Sequence, residues 1–188
     1  MNGAPHETFR PFSNRIRFDP NEIHALGIDM RTDAALLNLR RLTSLYLRLA
    51  LGVTFLSAVA DRFGVWGPPG SHNVAWGDFN RFTQYTALVN PWAPPAFVPL
   101  LAWTATVAET ILGAALLGGV YTRAAGFGSG VLLSLFAIGM TIGTGVKPAL
   151  DASVFSAAAG AFGLALLGPD PWSVDRLRAK RRPSDGAA

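Results

Sequence analysis

Four long apolar stretches constrain the fold of this chain more than any other feature. They run from Leu42 to Ala60, from Phe97 to Val120, from Ala124 to Gly145 and from Ala152 to Gly168. Each reaches or approaches the roughly 17 to 25 residues that an α-helix needs to cross a hydrocarbon core about 30 Å thick. The sequence therefore predicts four transmembrane helices. The fourth stretch is the shortest, and a buried helix that does not span is its alternative.

The composition agrees with a membrane protein. Half of the 188 residues are apolar and 15% are charged, whereas about 25% of the residues in an ordinary soluble domain are charged. The chain has no cysteine, which excludes thiolate metal sites, haem attachment through Cys-x-x-Cys-His and dithiol redox chemistry. We therefore expect no intrinsic cofactor, and any electron transfer would need a borrowed carrier.

Lys and Arg residues lie unequally on the two sides of the predicted spans. One side carries Arg31, Arg40, Arg41, Arg123, Arg176, Arg178, Lys180, Arg181 and Arg182, and the other carries Arg62, Arg81 and Lys147. Because cytoplasmic flanks hold the excess of positive charge, we expect both termini on the cytoplasmic side. The same charges predict contact with anionic lipid head groups. Neither tail has the aromatic interleaving of a nucleic-acid binder, so the lipid bilayer is their expected partner.

Two short connections set the order of the helices. The second and third spans are joined by Gly119–Arg123, and the third and fourth by Gly145–Asp151. Helices joined by so few residues are antiparallel neighbours. The sequence thus predicts an all-α protein, a transmembrane up-down four-helix bundle over residues 42–168, with cytoplasmic tails over 1–41 and 169–188. For the first tail, a weakly amphipathic helix at Asn21–Leu39 and disorder are equal alternatives.

The outer connection, residues 64–96, is too long for a simple loop. It holds three tryptophans, Trp66, Trp76 and Trp92, between Pro and Gly residues. Asp78 is placed to accept hydrogen bonds from the first backbone N–H groups of a helix over Phe79–Val89. We expect this short helix to be interfacial or re-entrant and to lie over the outer end of the bundle.

Two charged residues interrupt the apolar spans. Arg48 lies roughly 12 Å inside the first span and Glu109 roughly 16 Å inside the second, at 1.5 Å per residue. An Arg at the centre of a membrane helix costs about 2.5 to 3.5 kcal/mol. We therefore predict a salt bridge between Arg48 and Glu109 inside the bundle. Either this pair fixes the helix register, or it forms a proton or ligand site.

A second set of charges should gather at the outer end, where three helix ends and the long loop meet. Its members are Asp61, Arg62, Asp78, Arg81, Lys147 and Asp151. They form either a solvated belt of ion pairs, worth about 0 to 1 kcal/mol each, or a mouth for a polar ligand. His72 has no second His or acidic residue at ligand spacing, so we expect no metal site. Gly139 and Gly143 lie four residues apart in an apolar helix, which indicates close helix packing.

Three short motifs resemble those of a known family. They are Arg48-Leu-Ala-Leu-Gly52 followed by Phe55-Leu56, Glu109-Thr-Ile-Leu-Gly113, and Gly118-Gly-Val-Tyr-Thr122-Arg123. In this order they resemble the DoxX family of bacterial and archaeal membrane proteins, over residues 42–168. The resemblance implies a four-helix protein of the bacterial inner membrane. Some relatives are associated with thiosulfate:quinone oxidoreductase or with membrane complexes that handle oxidative stress.

The resemblance leaves three functions open. The first is an accessory subunit of a membrane redox process, which binds a lipophilic quinone or docks a redox partner protein. The second is a structural or partner-docking subunit without its own activity, and the third is a small-solute or proton-coupled transporter. Arg48 and Glu109 would be the polar positions of the family. Whether the chain is an enzyme stays open.

Overall fold

The computed structural model describes residues 30–181, and every regular element in that range is a helix. The helices are α1 (Met30–Arg62), α2 (Phe79–Val89), a 3-10 turn (Pro95–Phe97), α3 (Val98–Gly118), α4 (Thr122–Thr144), α5 (Val146–Asp151), α6 (Val154–Leu167) and α7 (Val174–Arg181). The all-α prediction is confirmed for these residues. Residues 21–29 of the predicted N-terminal helix, and the tail from residue 182 onward, lie outside the described residues.

Three helical segments are long and apolar enough to cross a membrane. They are Asp33–Arg62, Pro95–Gly118 and Thr122–Thr144. The fourth apolar stretch forms α6, which has 14 residues and is therefore about 21 Å long. It is short because the chain bends at Ser153, whose φ of 55° is left-handed and separates α5 from α6. The arrangement as a bundle of four spanning helices stays a prediction.

Glycines bring the helix backbones into direct contact. A Cβ added to Gly52 of α1 would lie 3.1 Å from the carbonyl oxygen of Gly113 in α3, and one added to Gly113 would lie 3.2 Å from that of Gly52. A Cβ on Gly126 of α4 would likewise lie 3.0 Å from the backbone nitrogen of Ala165 in α6. Helices in lipid are not driven together by the hydrophobic effect. Close packing of their backbones stabilises the contact instead, through dispersion forces between neighbouring atoms.

The short helix α2 has the bounds that Asp78 predicts. The Asp78 side chain accepts a hydrogen bond from the Arg81 backbone N–H at 2.8 Å. The C-terminal end of α2 packs against α4. A Cβ added to Gly143 would lie 2.5 Å from Cα of Val89, and one added to Gly139 would lie 3.2 Å from the carbonyl oxygen of Val89. The predicted role of these two glycines in close packing is thus confirmed.

Candidate functional site

Arg48 lies in the first of two buried ion pairs, and its partner is Asp170. The Arg48 Nε donates to Oδ2 of Asp170 at 2.8 Å, and Nη1 donates to the carbonyl oxygens of Leu116 at 2.8 Å and Leu117 at 2.7 Å. The side chains are 4% and 0% exposed. Asp170 Oδ1 also accepts from the backbone N–H of Trp172 at 2.9 Å. The charges of this pair are therefore neutralised and hydrogen-bonded within the protein.

The position of Arg48 follows from the end of α3. The chain leaves that helix through Gly119, whose φ of 63° is left-handed, and the last carbonyl groups of a helix have no partners within it. A cation is favoured there because the helix dipole is negative at its C-terminus. Arg48 therefore joins α1 to α3 and to the segment after α6. We call this region, with residues 116–123 and 168–181, the tail end.

At the tail end, Asp175 and Arg123 form hydrogen bonds with backbone groups at the ends of helices. Asp175 accepts hydrogen bonds from the backbone N–H groups of Tyr121 at 2.9 Å and Thr122 at 2.7 Å, and from the Thr122 hydroxyl at 2.9 Å. Partial burial raises the pKa of Asp175, but these hydrogen bonds and the charge of Arg178 outweigh it, so the pKa lies below its usual value. Arg123 donates to the carbonyl oxygens of Ala165 and Leu166.

The second buried ion pair joins Arg62 of α1 to Glu109 of α3. Nη1 of Arg62 contacts Oε2 of Glu109 and donates to the Thr106 hydroxyl at 2.8 Å. The guanidinium carbon lies 3.7 Å from the ring centre of Phe82 in α2, a cation–π contact. Arg62 Nε has no hydrogen-bond partner among the described residues. This pair holds α1, α2 and α3 together at the other end of the molecule, which we call the loop end (residues 61–97 and 144–153).

The predicted salt bridge between Arg48 and Glu109 is wrong. The contact of Gly52 with Gly113 places Arg48 beside Leu117 in the antiparallel helix, and Leu117 is eight residues, about 12 Å, from Glu109. Each charge has another partner instead, and these partners are Asp170 and Arg62. Sequence reasoning had placed Asp170 in the polar tail and Arg62 in the outer belt of charges. Asp170 and Arg62 lie just outside the predicted apolar stretches in the sequence, yet both are buried in the structure.

The outer charges are distributed over three local groups. Asp61 is buried at the end of α1, Asp78 caps α2 beside the exposed Arg81, and Lys147 pairs with Asp151 along α5 at 2.6 Å. The last pair is exposed, with side chains 82% and 63% accessible. Within residues 30–181, no ion pair or hydrogen bond joins one group to another.

An open groove of about 520 Å³ runs along α1 at the loop end. One wall belongs to α1 and includes Val53, Ser57 and Asp61, which follow one another at intervals of four residues. The other wall is the folded loop, with Trp66, Ala75 and Trp76. The indole N–H of Trp66 donates to the carbonyl oxygen of Ser57 at 3.1 Å. This contact holds the loop against the helix. We call the cavity the α1 groove.

Asp61 holds the loop wall of the α1 groove. Its Oδ2 accepts hydrogen bonds from the backbone N–H groups of Ala75 at 3.1 Å and Trp76 at 2.8 Å. Its other oxygen, Oδ1, is buried and has no hydrogen-bond partner within residues 30–181. Among the described residues, no cluster of three or more His or acidic side chains could hold a metal ion.

Comparison with known proteins gives one match. The family model of DoxX matches residues 43–167, a range that contains Arg48, Arg62, Glu109 and all the lining residues of the α1 groove. Asp170 and Asp175 lie beyond it. No curated protein and no solved structure matches the chain.

Proposed function

Since the chain belongs to the DoxX family of membrane proteins, we propose that it is an accessory subunit of a quinone-linked membrane redox process, and that the α1 groove binds a lipophilic quinone. The single observation that carries the proposal is the groove itself. It combines a helix face of mixed polarity, two indole rings and one carboxyl group. A bound quinone would supply two-electron carrier chemistry, and a redox partner protein would supply the electrons.

The groove fits this kind of molecule in size and in lining. Sites for small organic ligands measure about 300 to 1,000 Å³ and have mostly apolar walls with a few placed polar groups. The α1 groove measures about 520 Å³. Val53 and Ala58 would contact the apolar chain of the ligand, and the indoles of Trp66 and Trp76 would pack on its ring. Asp61 is the charged side chain among the groove's lining residues.

The two ion pairs have supporting roles in this proposal. Arg48 would fix the tail end and take no part in binding, because its hydrogen bonds go to Asp170 and to the end of α3. Arg62, the residue after Asp61, would position the groove by holding α1 against α2 and α3. We propose the bacterial inner membrane as the location, with both termini cytoplasmic and the groove in the outer half of the bilayer.

A substitution that fills the groove tests the proposal. Val53→Trp places a large ring in the groove at a position that is 58% exposed, so the helix packing should tolerate it. The control is Val131→Trp, at a 40% exposed position of α4 outside the groove. With the protein in lipid nanodiscs, we expect labelling by a photoreactive short-chain quinone to fall at least tenfold in Val53→Trp and to persist in Val131→Trp. Equal labelling of the two variants would contradict quinone binding in the groove.

A structural or partner-docking role is the second candidate. It is favoured by the buried Arg48–Asp170 pair, which joins three parts of the chain. Recovery of a stoichiometric complex from mild detergent, together with no quinone labelling, would favour this role over the first.

A further inference from the structure

Ser57 lies at the centre of the helix wall of the α1 groove. Val53 and Asp61, which line the same wall, lie about one helical turn to either side of it. The indole N–H of Trp66 donates to the carbonyl oxygen of Ser57 at 3.1 Å, so the loop wall meets the helix wall at this residue. Ser57 is half-buried. Its side chain is therefore the central polar group of the wall that α1 provides.

The hydroxyl group of Ser57 is accessible and makes no hydrogen bond within the described residues. A serine in a helix can donate to the carbonyl oxygen four residues earlier, and in α4 Ser129 and Ser134 do so, each at 2.7 Å. The Ser57 hydroxyl makes no such bond, and its oxygen is not one of the buried polar atoms that lack a partner in residues 30–181. Because Ser57 lines the groove, the space open to this hydroxyl is the groove.

The loop already occupies the nearest acceptors of this wall. The carbonyl oxygen of Ser57 accepts from Trp66, and Oδ2 of Asp61 accepts from the backbone N–H groups of Ala75 and Trp76. The hydroxyl proton of Ser57 is thus a donor without an acceptor in the part of the chain that the structure describes. Such a donor is unfavourable where hydrocarbon replaces water. A molecule in the groove that brings an oxygen acceptor removes this penalty.

We propose that the Ser57 hydroxyl donates a hydrogen bond to a ring carbonyl oxygen of the molecule in the α1 groove, with the ring beside the indoles of Trp66 and Trp76. This inference rests on the quinone binding of the proposed function and names the residue that recognises the polar part of the ligand. Ser57 distinguishes a ring that bears carbonyl groups from a hydrocarbon ring of the same shape. The apolar chain of the ligand extends along α1 towards Val53.

Two kinds of membrane molecule carry a carbonyl oxygen on an apolar body. They are quinones and phospholipids with ester-linked chains, so the shared chemistry is a carbonyl acceptor. The two indoles of the groove favour the quinone, because aromatic side chains pack on a flat ring in offset or edge-to-face arrangements. We therefore assign the carbonyl to a ring, and the experiment below separates it from a lipid ester.

The test uses two photoreactive probes of equal chain length, a naphthoquinone and the naphthalene that lacks both carbonyl groups. The full-length protein is placed in nanodiscs of diether phosphatidylcholine, which has no ester carbonyl. Mass spectrometry measures the label on the peptides of α1 and of the 64–77 loop, with both probes below saturation. We expect the ratio of quinone to hydrocarbon labelling to be about three- to tenfold lower in Ser57→Ala than in the wild type, as for the loss of one net hydrogen bond.

The matched control is Ser134→Ala. Ser134 is also half-buried, but it lies in α4 outside the groove, and its hydroxyl donates to the carbonyl oxygen of Gly130. This variant should keep the wild-type ratio. A general loosening of the helix packing would change labelling by both probes together and leave the ratio as it was, so the ratio reports the hydrogen bond. An unchanged ratio in Ser57→Ala would overturn the inference.

The same labelling separates this inference from the proposed function. Quinone labelling that Val53→Trp blocks, with a ratio that Ser57→Ala does not alter, overturns the role of Ser57 and leaves quinone binding in place. Labelling that Val53→Trp does not reduce contradicts both. The last arm replaces the diether lipid by its ester-linked counterpart. If the ester lipid suppresses quinone labelling at least tenfold in the wild type and not in Ser57→Ala, the carbonyl belongs to a lipid, and the assignment to a ring is overturned.

Discussion

The two buried arginines of α1 illustrate two ways of holding a cation in the protein interior. Arg48 has a counter-ion and two helix carbonyl groups at hydrogen-bond distance. Arg62 has a counter-ion, a hydroxyl group and an aromatic ring, and its Nε has no hydrogen-bond partner in the part of the chain that the structure describes. Arg48 therefore stabilises the tail end through hydrogen bonds to Asp170 and to the last carbonyl groups of α3. Arg62 depends on the position of Phe82, so movements of α2 should affect it directly.

Removing the counter-ion of Arg48 should destabilise the protein strongly. Asp170→Ala leaves a buried guanidinium without its opposite charge, and breaking one side of a buried pair costs about 3 to 5 kcal/mol. Asp151→Ala breaks an exposed pair and should change the stability by about 0 to 1 kcal/mol. Denaturant unfolding in detergent micelles measures both. Similar midpoints for the two variants would contradict a stabilising role of Asp170.

Asp175 should make stability depend on pH in the acid range. Its folded pKa lies below the ordinary value of 3.8, so its contribution is complete above that value and is lost as the pH falls through the folded pKa. Asp175→Asn still caps α4 but does not titrate. The melting temperature of the wild type should therefore fall towards that of Asp175→Asn below about pH 4. A constant difference between the two from pH 7 to pH 3 would show that Asp175 does not act in this way.

At the scale of elements, glycines decide which helices touch. α2 lies against α4 because Gly143 and Gly139 leave room for its last residues, Leu88 and Val89. The ring of Phe82 in the same helix covers Arg62. The position of α2 thus connects the packing of α4 with the environment of the Arg62–Glu109 pair.

Filling this contact should displace α2. In Gly143→Ala the added methyl group would overlap the backbone of Leu88 and Val89, whereas in Gly163→Ala it meets no atom within 4 Å. We expect Gly143→Ala to lower the melting temperature by several degrees and Gly163→Ala to leave it unchanged or slightly higher. Faster proteolysis of the 64–96 segment in Gly143→Ala would accompany the loss. If both variants melt as the wild type does, α2 is not held by this glycine.

At the scale of the whole molecule, the helices were predictable and their mutual register was not. Apolar length predicted four spanning helices, and three described helices are long and apolar enough to cross a membrane. Asp78 predicted the start of α2. The predicted depth of Arg48 counts about eight residues from the inner end of its span, but α1 begins at Met30. Its pairing depends on the contact between Gly52 and Gly113, and residue type does not show which glycines meet.

The candidate site was predictable only in part for the same reason. Asp61 and Trp76 are 15 residues apart, and their contact depends on how the loop folds back onto α1. The sequence identified both the aromatic loop and the outer carboxylates. It did not show that one carboxylate would be buried, with one oxygen bonded to the loop and the other facing no donor.

The Arg48–Asp170 contact also has a consequence for biogenesis. Its two residues are 122 positions apart, so the ribosome makes the second roughly 6 to 24 s after the first at 5 to 20 residues per second. Throughout that interval the nascent first helix carries a charge whose counter-ion does not yet exist. Insertion machinery or lipid phosphate must shelter the guanidinium until synthesis passes residue 170, and chains released before that point should be substrates for membrane proteases.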